Sequence, residues 1–566
     1  MNPDQLRPML FIALAFILFL MYEQWQADYG PKPPPQEITA TEQSSPETVG
    51  TTPQVPKSAD VPVVPTPSVV SATDTPSAGT SPVAAAEQPI TVRTDTVLAT
   101  IDTRGGTVRT MDLLEYPVVI DQPDNPLRLL DDKLPKFFIA QSGMVGLDGA
   151  EAPTHDAVFA TERTQYVLEP GQSSIEVPLV WRSETGVTVV KTLTFKRNSY
   201  LVEVRHTVTN DGEKPWAARM YGQLQRTQVA EDNGNSFIYT YMGGVLSSEE
   251  KPYEKIDFSD MADADVARDV QGGWAAMIQH YFVAAWIPRV GTEDRPADIN
   301  HYYTRALPGP KYAIGVMTPT SSVESGQQGE FSLKAYIGPK DQVRMTNAAP
   351  GLDRTVDYGW LFLIAQPLFW ALTVIHSFLG NWGWSIIALT VVIKLLFFHL
   401  SAASYRSMAR MRKLQPKLVQ LRERYGDDRQ KMNQAMMELY RKEKINPLGG
   451  CLPILIQIPV FISLYWVLLE SVELRQAPFM LWLNDLSTHD PYFVLPVIMG
   501  ASMFIQHKLN PTPPDPVQAK VMMALPFIFT FFFLWFPSGL VLYWVVNNIL
   551  SITQQYIITR RIEAEK

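Results

Sequence analysis

The chain has 566 residues, a formal charge of −9 and 46% hydrophobic residues, so it has room for several domains and is too acidic for nucleic-acid binding to be its main role. Its single cysteine, Cys451, excludes a disulfide framework. Acidic residues gather in the middle third, whereas the C-terminal third alternates long apolar runs with basic connectors.

Residues 1–30 read as a transmembrane anchor with its N-terminus inside. Pro8 to Tyr22 is apolar, Arg7 precedes it, and Glu23, Gln24, Trp25 and Gln26 offer no small-residue cleavage site. Residues 31–88 are dominated by Pro, Thr, Ser, Val and Ala. Such a composition cannot bury enough apolar surface to offset ordering entropy, so a disordered tether is expected.

Residues 89–345 change to short alternating runs. Thr96 to Tyr116 holds two of them around Gly105-Gly106, a hairpin signal, and Ser174 to Asn210, Trp274 to Pro288 and Gly329 to Pro339 continue the pattern. The expectation is a large all-β antiparallel sandwich. Its histidines, His155, His206, His280 and His301, show neither metal-ligand spacing nor a neighbouring nucleophile motif. No catalytic residue, cofactor or metal is expected.

Residues 352–380 contain an apolar stretch, Tyr358 to Phe378, that is long enough to span a bilayer. If it and the next run both crossed, the loop 401–447 would be exported. That loop carries Arg410, Arg412, Lys413, Lys417 and eight further cations, so export violates the positive-inside rule. An amphipathic helix lying in the interface is expected instead, in keeping with Gln366, Pro367 and His376.

Residues 381–560 read as a five-helix membrane core. The spans are Trp382 to Leu400, Cys451 to Leu469, Tyr492 to Gln506, Val521 to Phe536 and Leu540 to Ile558. With this topology every basic connector falls on the cytoplasmic side. The loop 401–447 is helical by pattern and breaks at Gly426-Asp427, giving a hairpin that packs Met408, Met411, Leu414, Leu418 and Leu421 against Met432, Met436, Met437 and Leu439. Residues 561–566 form a short tail.

One cation, Lys394, interrupts the first core span. A charge at that depth is expensive and marks a functional candidate. Snorkelling competes with that reading, since Lys394 to Leu400 is only about 9 Å along a helix. Gln457, Gln506, Asn547, Asn548 and Ser551, beside Tyr543 and Trp544, add polar groups in other spans. Singly each is a candidate interhelical hydrogen bond; together with Lys394 they suggest a water-holding cavity.

Long segments then carry a resemblance: NPLGGCLPILIQIPVFISLYWVL from Asn446, SVELRQAPFMLWLNDLSTHDPYFVLPVIMG from Ser471, FFFLWFPSGLVLYWVVNN from Phe531 and MARMRKLQPKL from Met408. The sequence resembles the YidC/Oxa/Alb family of membrane insertases, in its Gram-negative form. The resemblance implies a periplasmic domain of super-sandwich type, similar to sugar-mutarotase folds, and a hydrophilic groove open to cytoplasm and lipid. It implies a non-enzymatic insertase and chaperone of the cell inner membrane. The implied partners are nascent membrane proteins, the Sec translocon, lipid and, through the hairpin and tail, the ribosome. Here the tail IEAEK is short and not basic, so its ribosome contact should be weak. Family members usually carry an arginine where Lys394 stands, which keeps the charge but loses the planar fork. Gln506 and Trp544, with Gln457 and Ser551, match groove positions. A small-anion transporter and a tethered sugar-converting enzyme are the competing readings. The core shows no repeated halves, and the enzyme reading rests on fold analogy alone.

Overall fold

The computed structural model describes residues 60–62, 88–229, 240–291, 295–425, 428–443, 452–510 and 516–564. The expected anchor, most of the tether, the segment 444–451 and the last two residues lie outside them.

From Pro89 to Pro339 the strands form two sheets that share one core. The larger has eleven strands. Its main path runs Ala267–Gln271, Ile299–Leu307, Lys311–Met317, Trp216–Thr227, Phe138–Gly146, Thr107–Pro117, Val97–Asp102, Pro89–Arg93 and Gln165–Val167. The smaller has eight, with Gln327–Pro339, Leu201–Asn210, Val187–Lys196 and Ser174–Arg182 at one side. Pairing is antiparallel except between Pro89–Arg93 and Gln165–Val167, which run parallel. The expected hairpin closes through Gly105 and Gly106 at φ of 70° and 58°, a region that costs a residue with a Cβ. In Val187–Lys196 the period of two sends Val187, Val189, Lys191, Leu193 and Phe195 into the core. Lys191 is therefore an ammonium inside a sandwich. It spans the two sheets by donating to Gly105 O at 2.5 Å and Ser142 O at 2.9 Å.

After a short helix at Gln342–Ala348, nine longer helices follow among the described residues: α1 (Phe362–Leu379), α2 (Trp382–Leu396), α3 (Phe398–Lys413), α4 (Gln415–Tyr425), α5 (Arg429–Lys442), α6 (Leu452–Glu470), α7 (Val494–Leu509), α8 (Pro516–Phe532) and α9 (Ser538–Ala564). Helix α9 is the hub, packing on α2, α3, α6 and α7, while α8 packs on α7 and α1 on α2 and α6. Among the described helices, Gly359–Leu379 is the one long and apolar enough to cross a bilayer alone; segments of α6, α7 and α8 are shorter apolar helices. Outward-facing apolar side chains stand bare, Phe378 at 84% and Phe527 at 68%, a surface suited to hydrocarbon rather than water.

The run expected as one span from Trp382 to Leu400 is instead two helices, α2 and α3, which meet at Phe397 with a bend of 68°. No proline or glycine marks the bend. Its cause is packing: Ser401, Ala402, Ser404, Tyr405 and Ala409 are buried on α3, which lies on α9. The hairpin α4–α5 closes over Leu414 and Tyr440, with Met411, Leu418, Met436, Met437 and Leu439 against them. Met408, expected in that stripe, faces the helix bundle.

The β domain is bolted to the last turn of α6 and the loop that follows it. His280 Nε2 lies 2.9 Å from Leu469 O, Arg475 Nη2 donates to Pro117 O at 2.8 Å, and Lys340 Nζ lies 3.7 Å from Glu470 Oε2, both side chains buried. Burial drives His280 down to about 3, so it stays neutral and hydrogen-bonds as an imidazole.

Candidate functional site: a polar cavity among the helices

Five helices wall a cavity of about 310 Å³. Helix α3 supplies Ser401, Ser404, Tyr405 and Met408; α6 supplies Gln457, Ile458 and Phe461; α7 supplies Met503, Gln506, His507 and Asn510. Met522, Leu525 and Pro526 come from α8, and Tyr543, Trp544, Asn547, Asn548 and Ser551 from α9.

These positions fall early in α3 and α6, late in α7 and near the middle of α8 and α9, so the cavity runs from the end where the basic connectors leave toward the middle of the bundle. The opposite end is plugged by the loop between α6 and α7. Gly539 N donates to Leu486 O at 3.0 Å, Ser538 Oγ donates to Asp485 O at 2.9 Å, and Leu483 and Leu486 are buried. Asp490 holds that loop against α7, accepting from Trp482 Nε1 at 2.9 Å and Leu495 N at 2.8 Å. Gly383 permits the close seat of Phe479, whose ring a Cβ at 383 would strike.

Polar groups on the wall bond one another across helices. Gln457 Nε2 donates to Asn547 Oδ1, Asn548 Nδ2 to Ser502 Oγ at 3.0 Å, and Gln555 Nε2 to Asn510 Oδ1 at 2.9 Å. Trp544 Nε1 is buried without a partner among the described residues, an orphan donor worth about 1–3 kcal/mol unless water or a guest accepts from it. Pro459 and Pro526 interrupt the helical bonding of α6 and α8, and each frees the carbonyl four residues earlier. Both helices line the cavity without packing closely on one another.

Lys394 stands at the edge of this space. Its Nζ donates to Ser551 Oγ at 2.7 Å, and Ser551 Oγ donates to Asn547 O at 2.6 Å. The lysine lines a small neighbouring recess that shares Ser401 and Gln457 with the main cavity. No carboxylate lines either space. Lys394, linked to the cavity wall through Ser551, is thus a cation beside a lining that holds no carboxylate.

The structure brings Gln457, Gln506, Tyr543, Trp544, Asn547 and Ser551 onto one wall and reaches Lys394 through Ser551. It does not bring the hairpin cations there. Lys413 Nζ donates to Ile562 O at 2.6 Å and Lys417 pairs with Glu443 at 2.7 Å, while Arg410 and Arg412 do not line the cavity. Ser401, Ser404, Tyr405 and Met408 escape a sequence reading because they look like the start of a basic loop. The β-domain histidines are accounted for structurally: His301 Nδ1 lies 2.8 Å from Asp269, and His206 is buried and held far below the usual imidazole range by burial and nearby Lys191.

The family profile described as YidC periplasmic domain matches residues 89–371, and that described as 60Kd inner membrane protein matches residues 374–565. The chain is 52% identical to the membrane protein insertase YidC of Methylococcus capsulatus, over 99% of each sequence. It is 48% identical to that of Nitrosococcus oceani, over 99% of this chain and all of the relative. Among solved structures, an active YidC insertase with its first transmembrane domain resolved aligns with 84% of this chain and 93% of its own, at 19% identity and a TM-score of 0.37.

Proposed function

Since the chain belongs to the YidC family of membrane protein insertases, we propose that the polar cavity is the compartment through which it passes hydrophilic segments of its client proteins. The observation that carries this reading is a polar, carboxylate-free cavity with Lys394 at its edge, set beneath a loop that closes over the start of α9.

A polypeptide tail cannot cross hydrocarbon cheaply, because each unsatisfied backbone group costs several kcal/mol. The cavity offers that tail Gln457, Gln506, Asn547 and the free N–H of Trp544 as partners over part of the distance. Lys394 supplies a charge that draws acidic segments in, and Ser551 holds the amine at the wall rather than out among lipid headgroups. The client's apolar helix leaves between α6 and α8, where no close packing bars the way, driven by partition into lipid. Helix α1 lies along the outer leaflet, the termini face the cytoplasm, and the short polar core thins the bilayer around it. The α4–α5 hairpin with its Lys417, together with Arg410 and Arg412 at the end of α3, receives the ribosome weakly, and the Sec translocon delivers larger clients.

The test is site-specific photocrosslinking to a stalled nascent membrane protein. Probes at Gln506 and Met503 should capture the nascent chain, and a probe on the lipid-facing side of α7, at Val497, should capture it much less. Equal capture from all three positions would remove the cavity from the pathway.

A further inference from the structure

A second polar site is built on the β domain by residues outside the helix bundle, and the chain's own tether sits in it. Strand Trp216–Thr227 turns Met220, Gly222 and Leu224 toward the sandwich core and Tyr221, Gln223 and Gln225 to the other face. On that face the polar groups are already cross-linked before any guest is counted. Tyr221 OH bridges the backbone N and Nδ1 of His155 at 3.0 and 2.6 Å, Gln223 Nε2 donates to Gln141 Oε1 at 2.9 Å, and Tyr303 OH donates to Gln223 Oε1 at 2.9 Å. His155 is 3% exposed and Gln223 fully buried. Glycines make the space: a Cβ at Gly143 would meet Tyr221 OH and His155 N, and one at Gly315 would strike the Tyr303 ring.

Asp60, Val61 and Pro62 occupy this cradle. The Asp60 carboxylate accepts from Gln225 Nε2 at 2.8 Å and lies 3.1 Å from His155 Nε2. Backbone carbonyls complete the grip: Asp60 O accepts from Gln223 Nε2 at 3.2 Å and Val61 O from Arg305 Nη1 at 2.9 Å. Pro62 is buried beside them. One carboxylate and two carbonyls are bound by side chains from strands Trp216–Thr227 and Ile299–Leu307 and from the loop that carries His155. A buried polar array of this kind is costly unless it is satisfied, and here the tether satisfies it.

We propose that this face of the β domain is a binding site for a short, bent peptide of the form acidic residue, apolar residue, proline, and that Asp60-Val61-Pro62 is its resident ligand in cis. A segment of another polypeptide with the same pattern competes only if it overcomes the high effective concentration of the attached one.

The test uses the full-length protein in detergent. A photoreactive amino acid in place of Val61 should give cross-links mapping by mass spectrometry to Trp216–Thr227 or Ile299–Leu307, and Asp60→Ala should reduce their yield at least fivefold. A fluorescent peptide spanning Lys57 to Thr66 should then bind the Asp60→Ala protein at least tenfold more tightly than the wild type, whose site is filled. The same peptide carrying Asp60→Ala should not bind. Cross-links unchanged by Asp60→Ala, or a peptide bound no better by the Asp60→Ala protein than by the wild type, would overturn the proposal.

Discussion

Lys191 makes the pH dependence of the β domain calculable. The side chain is fully buried, its ammonium has two carbonyl acceptors, and no carboxylate pairs with it among the described residues. Burial pulls it down to about 7, from 10.5 in an unfolded chain. Between those values the unfolded state binds a proton that the folded state does not, so stability rises with pH. From pH 7 to pH 9 the gain is about 2 kcal/mol at 1.36 kcal/mol per pH unit, and over the full interval roughly 5. Above pH 10 buried tyrosines such as Tyr221 and Tyr303, raised by burial, reverse the trend, because their unfolded forms ionise first. The assay is therefore thermal unfolding followed by the β-sheet circular dichroism signal between pH 7 and 9. Buried Glu470 and Glu473, raised to about 7, pull the other way in both proteins, so the wild type should gain stability across that window relative to Lys191→Met. A Lys191→Met protein with the wild-type slope would refute the assignment of the proton to this amine.

Other outcomes follow from the same structure. His206 is buried with both ring nitrogens unpartnered among the described residues, so stability should fall as pH drops below 6.5, and His206→Leu should lessen that loss, leaving the share due to His280, and add about 1–3 kcal/mol in the same melts. In reconstituted vesicles Lys394→Arg should retain insertion, whereas Lys394→Ala should slow clients with acidic translocated tails at least tenfold and neutral ones little; uniform loss would point to a folding defect. Removing residues 89–338 takes His280 and Pro117 from the junction, so the truncated protein should still insert small clients but melt at a lower temperature than the full chain. Breaking the buried Lys340–Glu470 pair by Lys340→Met should cost about 3–5 kcal/mol, and Lys340→Met with Glu470→Met should recover most of it in a double-mutant cycle.

How much of this was legible in the sequence depends on the range of the forces involved. The Gly105-Gly106 hairpin and the alternation in Val187–Lys196 are local, and the pattern that predicts them is the pattern that folds. Lys191 is the exception within its strand: a cation at a core position reads as an error in the alternation until Gly105 O and Ser142 O from the other sheet supply its partners. The helix break at Phe397 had no local signal, because the force that bends the chain there is the packing of Ser401 and Ser404 on α9. The cavity residues on α6, α7 and α9 stood out as polar interruptions in apolar runs. Those on α3 did not, since polar residues beside a basic loop are unremarked. Least legible was Asp60, one carboxylate in a composition that forbids a fold of its own and acquires a place only from a site built by strands far along the chain.

The central claim is that water fills the cavity from the cytoplasmic end alone. With Cys451→Ser removing the only native cysteine, a thiol introduced as Gln506→Cys should react with a charged, membrane-impermeant maleimide in inside-out vesicles. It should stay unreactive in right-side-out vesicles and be protected by a stalled nascent chain. A thiol silent from the cytoplasmic face, or labelled equally from both, would contradict the account.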